Sequence, residues 1–381
     1  MNTEVIPFNK PYYPRSTHQY VLDSLNSGHT AGDGPQTRMV AEQLRQMFTG
    51  ADVLLTPSCT HALELAVRLL EPKPGDEIIV PSFTFTSTAN AIILGGATPV
   101  FVDIESETQN IDLSLVEEAV GPRTIAVFCI NYAGIAPRLQ DLRELCDNKG
   151  LVLLEDNAHG LGASVSGRAL GTIGTMATQS FHETKNIQCG EGGCLVLNEH
   201  ELLERAEILR EKGTDRSRFF RGQVDKYTWV SAGSSWLLAD TLAAVLRSQL
   251  DNMSLIQQDR YRTWSRYYES LHPWAEVSGA SIMAVPSDCV QPSHMFYVMM
   301  PSLTTRSALI EHLRDRGVTA AFHYQPLHSS QAGVKYGRTS GSFSNTIRAA
   351  DQLLRLPLWA GMTTQQVECV IEAVLTFRVN K

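Results

Sequence analysis

Short, continuously apolar runs alternate with amphipathic stretches between residues 50 and 200. Val53-Leu54-Leu55, Glu77-Ile78-Ile79-Val80, Thr98-Pro99-Val100-Phe101-Val102, Thr124-Ile125-Ala126-Val127-Phe128 and Leu151-Val152-Leu153-Leu154 read as strands. The segments between them, such as 61–70 and 139–148, carry apolar residues at helical spacing. A strand without polar alternation is buried on both faces, so strands of this kind alternating with helices predict a parallel sheet covered on both sides. Open α/β sheets bind ligands just beyond the C-terminal ends of their strands, and chemistry is expected there.

The pattern changes after residue 175. Residues 175–181 and 193–197 read as strands separated by a short Gly-rich turn, and a helix is expected over 199–212. The stretch 213–236 is rich in Arg, aromatics and Gly and has no period, as in a long functional loop. A helix from about 237 leads into a second over 251–270. Beyond 280, short strands mix with helices at 303–315 and 364–376. The expected division is a large domain over 1–250, with an N-terminal arm, and a smaller α+β domain over 251–381.

Composition adds exclusions. The chain has 381 residues, 43% hydrophobic and 19% charged, enough to bury a sizeable core. A net charge of -8 gives no general attraction to nucleic acid or anionic lipid, although a local cradle can still bind an anionic small molecule. Seven cysteines without a C-x-x-C pair argue against a disulfide framework and a structural zinc site. The first seven residues lack a basic region followed by an apolar run, and no stretch approaches the ~20 apolar residues of a membrane span. A soluble cytoplasmic protein without a metal centre is expected.

Three segments then combine. Thr56-Pro57-Ser58-Cys59-Thr60 follows a strand and opens a helix, whose free N–H groups suit a phosphate; a plain N-cap is the simpler alternative. Glu155-Asp156-Asn157-Ala158-His159-Gly160 places acids at the end of an apolar strand. A carboxylate there can keep a ring nitrogen protonated, or merely cap the next helix. Gln179-Ser180-Phe181-His182-Glu183-Thr184-Lys185-Asn186, followed by Gly190-Glu191-Gly192-Gly193, puts a lysine in a turn. Such a lysine is usually a solvated charge, but one whose proton is removed by burial or neighbouring charge becomes a Schiff-base nucleophile. Phosphate cradle, acid and lysine together describe a site for pyridoxal 5'-phosphate (PLP).

Those runs, with Pro81-Ser82-Phe83-Thr84-Phe85, resemble the DegT/DnrJ/EryC1/StrS sugar aminotransferases, and the resemblance spans Ile6-Pro7-Phe8-Asn9 to Leu356-Pro357-Leu358. It implies a PLP-dependent aminotransferase of fold type I: a large domain with a mostly parallel seven-stranded sheet, plus the smaller α+β domain. It assigns Lys185 as catalytic Schiff-base lysine and proton carrier, Asp156 to the pyridine nitrogen, Phe85 to the ring face and His159 to the ring hydroxyl. Ser58, Cys59, Thr60 and Ser180 would hold the phosphate. Many members carry Gly-x-Asn-x-Arg, whose Asn reaches the phosphate of the neighbouring subunit. This chain has Gly233-Ser234-Ser235-Trp236-Leu237, where Ser235 can donate one hydrogen bond instead. A homodimer with shared sites is implied.

Within the family, residues 180–186, 210–216, 219–229 and Phe322-His323-Tyr324 with Pro326-Leu327-His328 are most similar to members acting in deoxyamino sugar and polysaccharide biosynthesis. Their reaction aminates C4 of dTDP-4-keto-6-deoxy-D-glucose with L-glutamate, giving dTDP-4-amino-4,6-dideoxy-D-galactose and 2-oxoglutarate. Arg216, Arg218, Arg221, Lys226 and Tyr227 would meet the nucleotide diphosphate, and His323 and His328 the sugar. Alternatives are another nucleotide keto sugar, an equatorial C4 amine, or a PLP-dependent sugar dehydratase; relatives of the last kind carry His where Lys185 stands. A dinucleotide oxidoreductase lacks its G-x-G-x-x-G after a strand, and His182-Glu183 fails as H-E-x-x-H because Asn186 fills the second His position.

Overall fold

Ile78, Ile79 and Val80 are all fully buried, which a strand achieves only when both faces are covered. The structure, a computed structural model, describes residues 5–378; the first four residues, part of the segment read above for a secretion signal, and residues 379–381 lie outside the described residues. The main strands in chain order are β1 (Asp52–Thr56), β2 (Glu77–Pro81), β3 (Thr98–Val102), β4 (Thr124–Ile130), β5 (Val152–Asp156), β6 (Met176–Ser180) and β7 (Gly193–Leu197). Further along come β8 (Ser281–Ile282), β9 (Phe296–Met299), β10 (Arg338–Thr339) and β11 (Leu353–Leu356).

The large sheet has eight strands in the order β1-β7-β6-β5-β4-β2-β3-β10. Only β7 runs antiparallel to its neighbours. The sequence reading gave seven strands. The eighth, β10, pairs just two residues with β3, too few to show a hydrophobic period.

Alternation along the strands divides the core. Ile78, Val80, Phe101, Phe128, Leu154 and Leu195 pack with helices Cys59–Leu69 and Thr86–Gly95. The alternate residues Ile79, Val100, Val127 and Leu153 pack with helices Leu113–Ala119 and Leu139–Lys149. Gly193 is forced by the close approach of β7 to the first of these helices: a Cβ there would lie 2.4 Å from the Cys59 nitrogen.

The C-terminal portion builds a three-stranded antiparallel sheet, β8-β9-β11, against the 26-residue helix Met253–Ser278, which runs past the expected end near 270. Its core includes Ile6, Phe83, Ile130 and Tyr132, so it caps the C-terminal edge of the large sheet. Arg260, in that helix, donates to the carbonyls of Ser293 (3.0 Å), His294 (2.7 Å) and Leu358 (3.3 Å). The aperiodic 213–236 stretch contains one short helix, Arg216–Phe220, and is tied back by bridges Glu211–Ser235 and Thr214–Trp229. The helix expected over 199–212 is a 3-10 turn followed by a helix over Leu203–Arg210. Among the described residues, no helix is long and apolar enough to cross a membrane.

Candidate active site

A cavity of about 550 Å³ opens where β1, β2, β5 and β6 end. Ser58, Cys59, Thr60, Phe85, Asp156, His159, Ser180, Lys185 and His323 all line it. Residues from five distant parts of the sequence are thus brought to one cavity.

At the end of β1, the Ser58 hydroxyl accepts the His61 N–H at 3.2 Å. Ser58 is therefore an N-cap and a cavity residue together; the two readings of that segment coexist. Thr60 Oγ1 lies 2.8 Å from Ser87 Oγ, at the start of the helix that follows β2. Two helix N-termini, Cys59–Leu69 and Thr86–Gly95, with small hydroxyl side chains form a cradle suited to a phosphate.

The adjacent acids on β5 take different roles because successive side chains point to opposite faces. Glu155 accepts four hydrogen bonds away from the cavity: from the N–H groups of Ile173 and Gly174 at Oε1, and of Gly171 and the Asn131 amide at Oε2. Asp156 faces the cavity. Its Oδ2 accepts from Thr88 Oγ1 at 2.9 Å and its Oδ1 from the Ala158 N–H at 3.2 Å. Burial pushes its carboxyl above the usual carboxylate range, while Thr88, Ala158 and Lys185 act against that.

Lys185 sits in the turn after β6, its N–H bonded to the His182 carbonyl at 2.8 Å. Burial lowers its amine to about 8. Cys59 and Asp156 raise it and Arg355 lowers it further. Near neutral pH a usable fraction is therefore an uncharged nucleophile, which a solvated lysine is not.

His159 accepts the Ala133 N–H at Nδ1, 3.4 Å away, and stacks on His294 with centroids 4.6 Å apart. Burial drives both imidazoles well below the ordinary histidine value, so both are neutral. Phe85 is 59% exposed at the cavity.

Other sequence candidates lie elsewhere. Ser235 is exposed and outside the cavity. Arg216 pairs with Glu211 at 2.9 Å, Arg218 with Glu204 at 3.2 Å and Arg221 with Glu207 at 2.8 Å, all away from it. Tyr227 packs its ring on Phe219, and Lys226 is exposed on the same loop. His328 stacks on Phe343 at 3.8 Å and bonds Ser82 Oγ at 2.7 Å, also outside.

Sequence reasoning missed Phe8, Thr88, His294, Tyr324 and Arg355, all on the cavity wall. Arg355 carried a signal, a charge inside the apolar run Leu353-Leu354-Arg355-Leu356. Thr88 and Phe8 carried none.

The sequence matches the DegT/DnrJ/EryC1/StrS aminotransferase family over residues 13–375. The chain belongs to that family. It is 31% identical over 377 residues to the spore coat polysaccharide biosynthesis protein SpsC of Bacillus subtilis, covering 97% of this chain and 96% of SpsC. Among solved structures it is similar to the aminotransferase TlmJ of Streptoalloteichus hindustanus, with 32% identity, 97% and 98% of the two chains covered and a TM-score of 0.89. It is also similar to Spr1654 of Streptococcus pneumoniae in its PMP-form, at 27% identity, 97% and 98% coverage and a TM-score of 0.90; that protein has also been solved in a PLP-form.

Members of this family are PLP-dependent sugar aminotransferases, and so is this chain. The cavity fits the cofactor on its own terms. It offers an anion cradle, a buried carboxylate and a buried amine of lowered basicity, and its volume accommodates a cofactor and part of a substrate.

Proposed function

We propose that the protein transfers the amino group of L-glutamate to C4 of dTDP-4-keto-6-deoxy-D-glucose, giving dTDP-4-amino-4,6-dideoxy-D-galactose and 2-oxoglutarate. The observation that carries the transamination chemistry is the buried Lys185 amine sharing one cavity with Asp156 and the Ser58–Thr60 helix start. The sugar and the donor rest on the resemblance of residues 180–186, 210–216, 219–229 and 322–328.

In this reading Ser58, Cys59, Thr60 and Ser180 hold the phosphate and Asp156 holds the ring nitrogen. Phe85 covers one ring face and His159 approaches the ring hydroxyl. Bound PLP supplies the electron sink that lets a proton leave the carbon bearing nitrogen. Lys185 holds the cofactor aldehyde between turnovers. Its amine would carry the α-proton away from the donor and would later deliver a proton to C4 of the sugar. The face from which it does so fixes the galacto configuration. In this reading His323 lines the sugar space, while His328, bonded to Ser82, stands outside the cavity.

A homodimer completes the site in this reading. The loop carrying Arg216, Arg218, Arg221, Lys226 and Tyr227 meets the nucleotide diphosphate at the neighbouring cavity, and Ser235 of the partner subunit adds a donor to the phosphate. Support comes from the apolar surface on this loop, where Phe220 is 70% and Trp229 77% exposed. Lys226 has no carboxylate within ion-pair distance among the described residues, unlike the three arginines.

The test uses protein purified with PLP, wild type beside Lys185→Ala. L-glutamate is expected to bleach the lysine-dependent visible band, and dTDP-4-keto-6-deoxyglucose to restore it. NMR of the product reads the C4 configuration. A band that ignores the keto sugar overturns the substrate, and an equatorial amine overturns the stereochemistry.

A further inference from the structure

We propose that His294 is a positioning residue for His159, holding that imidazole in one plane and one tautomer at the cavity through a ring stack. The proposal rests on the reading that places His159 at the cofactor ring hydroxyl, and deepens it.

His294 stands in the loop before β9, far from His159 in the chain. Its ring lies on that of His159 with centroids 4.6 Å apart and planes 25° from parallel, as in an offset stack. Both rings line the cavity, and both are buried. Burial above all, with Lys185 and Arg355 nearby, keeps both neutral, so no charge repulsion splits the pair.

The other contacts of His159 do not fix it by themselves. The Ala133 N–H donates to Nδ1 at 3.4 Å, and Tyr132 meets the ring edge-on at 5.7 Å. Because Nδ1 accepts, the proton of the neutral ring sits on Nε2. A hydrogen bond this long holds an imidazole weakly, and an edge contact leaves it free to tilt. The face on which the ring rests therefore decides its attitude, and His294 supplies that face.

The segment that delivers His294 carries three costs. Ser293 has a φ of +49°, in the left-handed region that favours glycine. His294 Nδ1 is buried with no hydrogen-bond partner among the described residues. Arg260, itself buried, is committed to the carbonyls of Ser293 at 3.0 Å and His294 at 2.7 Å. The opposing segment is strained as well. Ala133, whose N–H reaches His159, has a φ of +58°. At Gly134 a Cβ would lie 2.2 Å from Pro292 Cδ and 2.9 Å from the His159 carbonyl, so residues 292–294 close on His159 only because position 134 has no side chain. Strain of this kind persists where surrounding contacts over-determine it, and what these contacts fix in common is the pair of stacked rings. A loop that merely joined a helix to a strand would need none of them.

Nitrogen NMR of PLP-loaded enzyme with labelled histidine reads the His159 tautomer, its signals assigned with His159→Ala. Wild type is expected to show one tautomer, protonated at Nε2. His294→Ala and His294→Leu remove the flat face, the second without leaving a large void, and should put His159 in exchange between two tautomers. His294→Phe keeps a flat face and should return the single tautomer. Cofactor affinity is expected to fall roughly tenfold for the Ala and Leu variants, and to stay within about threefold of wild type for Phe. In a His159→Ala background, His294→Leu should weaken PLP by less than about twofold more, because a residue acting through His159 has nothing left to position. Unchanged His159 signals in His294→Leu overturn the proposal. So does His294→Phe behaving like His294→Leu, or the same loss of affinity from His294→Leu with His159 absent as with it present. A His159→Ala enzyme that binds PLP as tightly as wild type and keeps its band removes the ring-hydroxyl role alone, and the His159 signals still decide whether His294 positions that ring.

Discussion

The cavity and the 204–229 segment both concentrate basic residues, yet they treat charge in opposite ways. On the loop in that segment three arginines are paired with acids: Arg216 with Glu211, Arg218 with Glu204 and Arg221 with Glu207. These pairs are two-fifths exposed on the arginine side, where water and salt screen them and each contributes little. In the cavity, Lys185 and Arg355 have no carboxylate within ion-pair distance among the described residues, and His159, His294 and His323 are neutral. A cluster of arginines in sequence announces positive charge; whether that charge is available to a ligand depends on which carboxylates fold up beside it. The three loop arginines are held by neighbouring acids, whereas the cavity leaves Lys185 and Arg355 without a carboxylate of their own.

The sharpest way to break this contrast is at Lys185. Lys185→Ala is expected to cut turnover by more than about ten-thousand-fold, read as single-turnover bleaching of the cofactor band with L-glutamate. Residual turnover within tenfold of wild type would remove the lysine from the chemistry. Next comes Asp156→Ala, expected to weaken PLP binding by roughly 10- to 100-fold through loss of a charged hydrogen bond, measured by cofactor titration. Glu155→Gln is the control at the neighbouring position: it should lower thermal stability, since four donors lose their carboxylate, and leave the cofactor spectrum unchanged.

The pH dependence follows from Lys185. Its folded value of about 8 lies below the ordinary 10.5, so between these values the unfolded chain binds the extra proton. Stability of the cofactor-free protein is therefore expected to rise with pH from about 8 to 10.5, by on the order of 3 kcal/mol from this group, and to show no such rise in Lys185→Met. Denaturant titrations at several pH values check it. The smallest effect belongs to the loop: Arg221→Ala should change stability by less than about 1 kcal/mol, and less again at high salt. A larger loss would show that the loop pairs hold more than their own segment.

Much of the site was legible because it is local. Ser58, Asp156, Ser180 and Lys185 all lie at or beyond the ends of predicted strands, and a parallel sheet gathers the ends of its strands along one edge whatever the chain does in between. His159 came with them, three residues beyond Asp156. His323 was read from its motif, whereas His328 in the same motif points to Ser82 and Phe343 instead. Arg355 and His294 went unread although Leu353-Leu354-Arg355-Leu356 breaks an apolar run. Their place on the wall depends on docking a separate sheet, through Tyr132 and Phe83, onto the large one.

The sequence by itself determined the strand and helix alternation, the parallel sheet, the order of cradle, acid and lysine, and the family. These depend on periodicities of two and 3.6 residues and on turn chemistry, which act over a few neighbours. The resemblance had pointed to Asp156, but tertiary structure alone shows it facing the cavity while Glu155 turns away, and alone decided which arginines are already neutralised and that a charge on β11 ends beside a lysine 170 residues earlier. Facing is set by the register of a strand within its sheet, and neutralisation by contacts between segments far apart in the chain, so neither is encoded in any short run of residues.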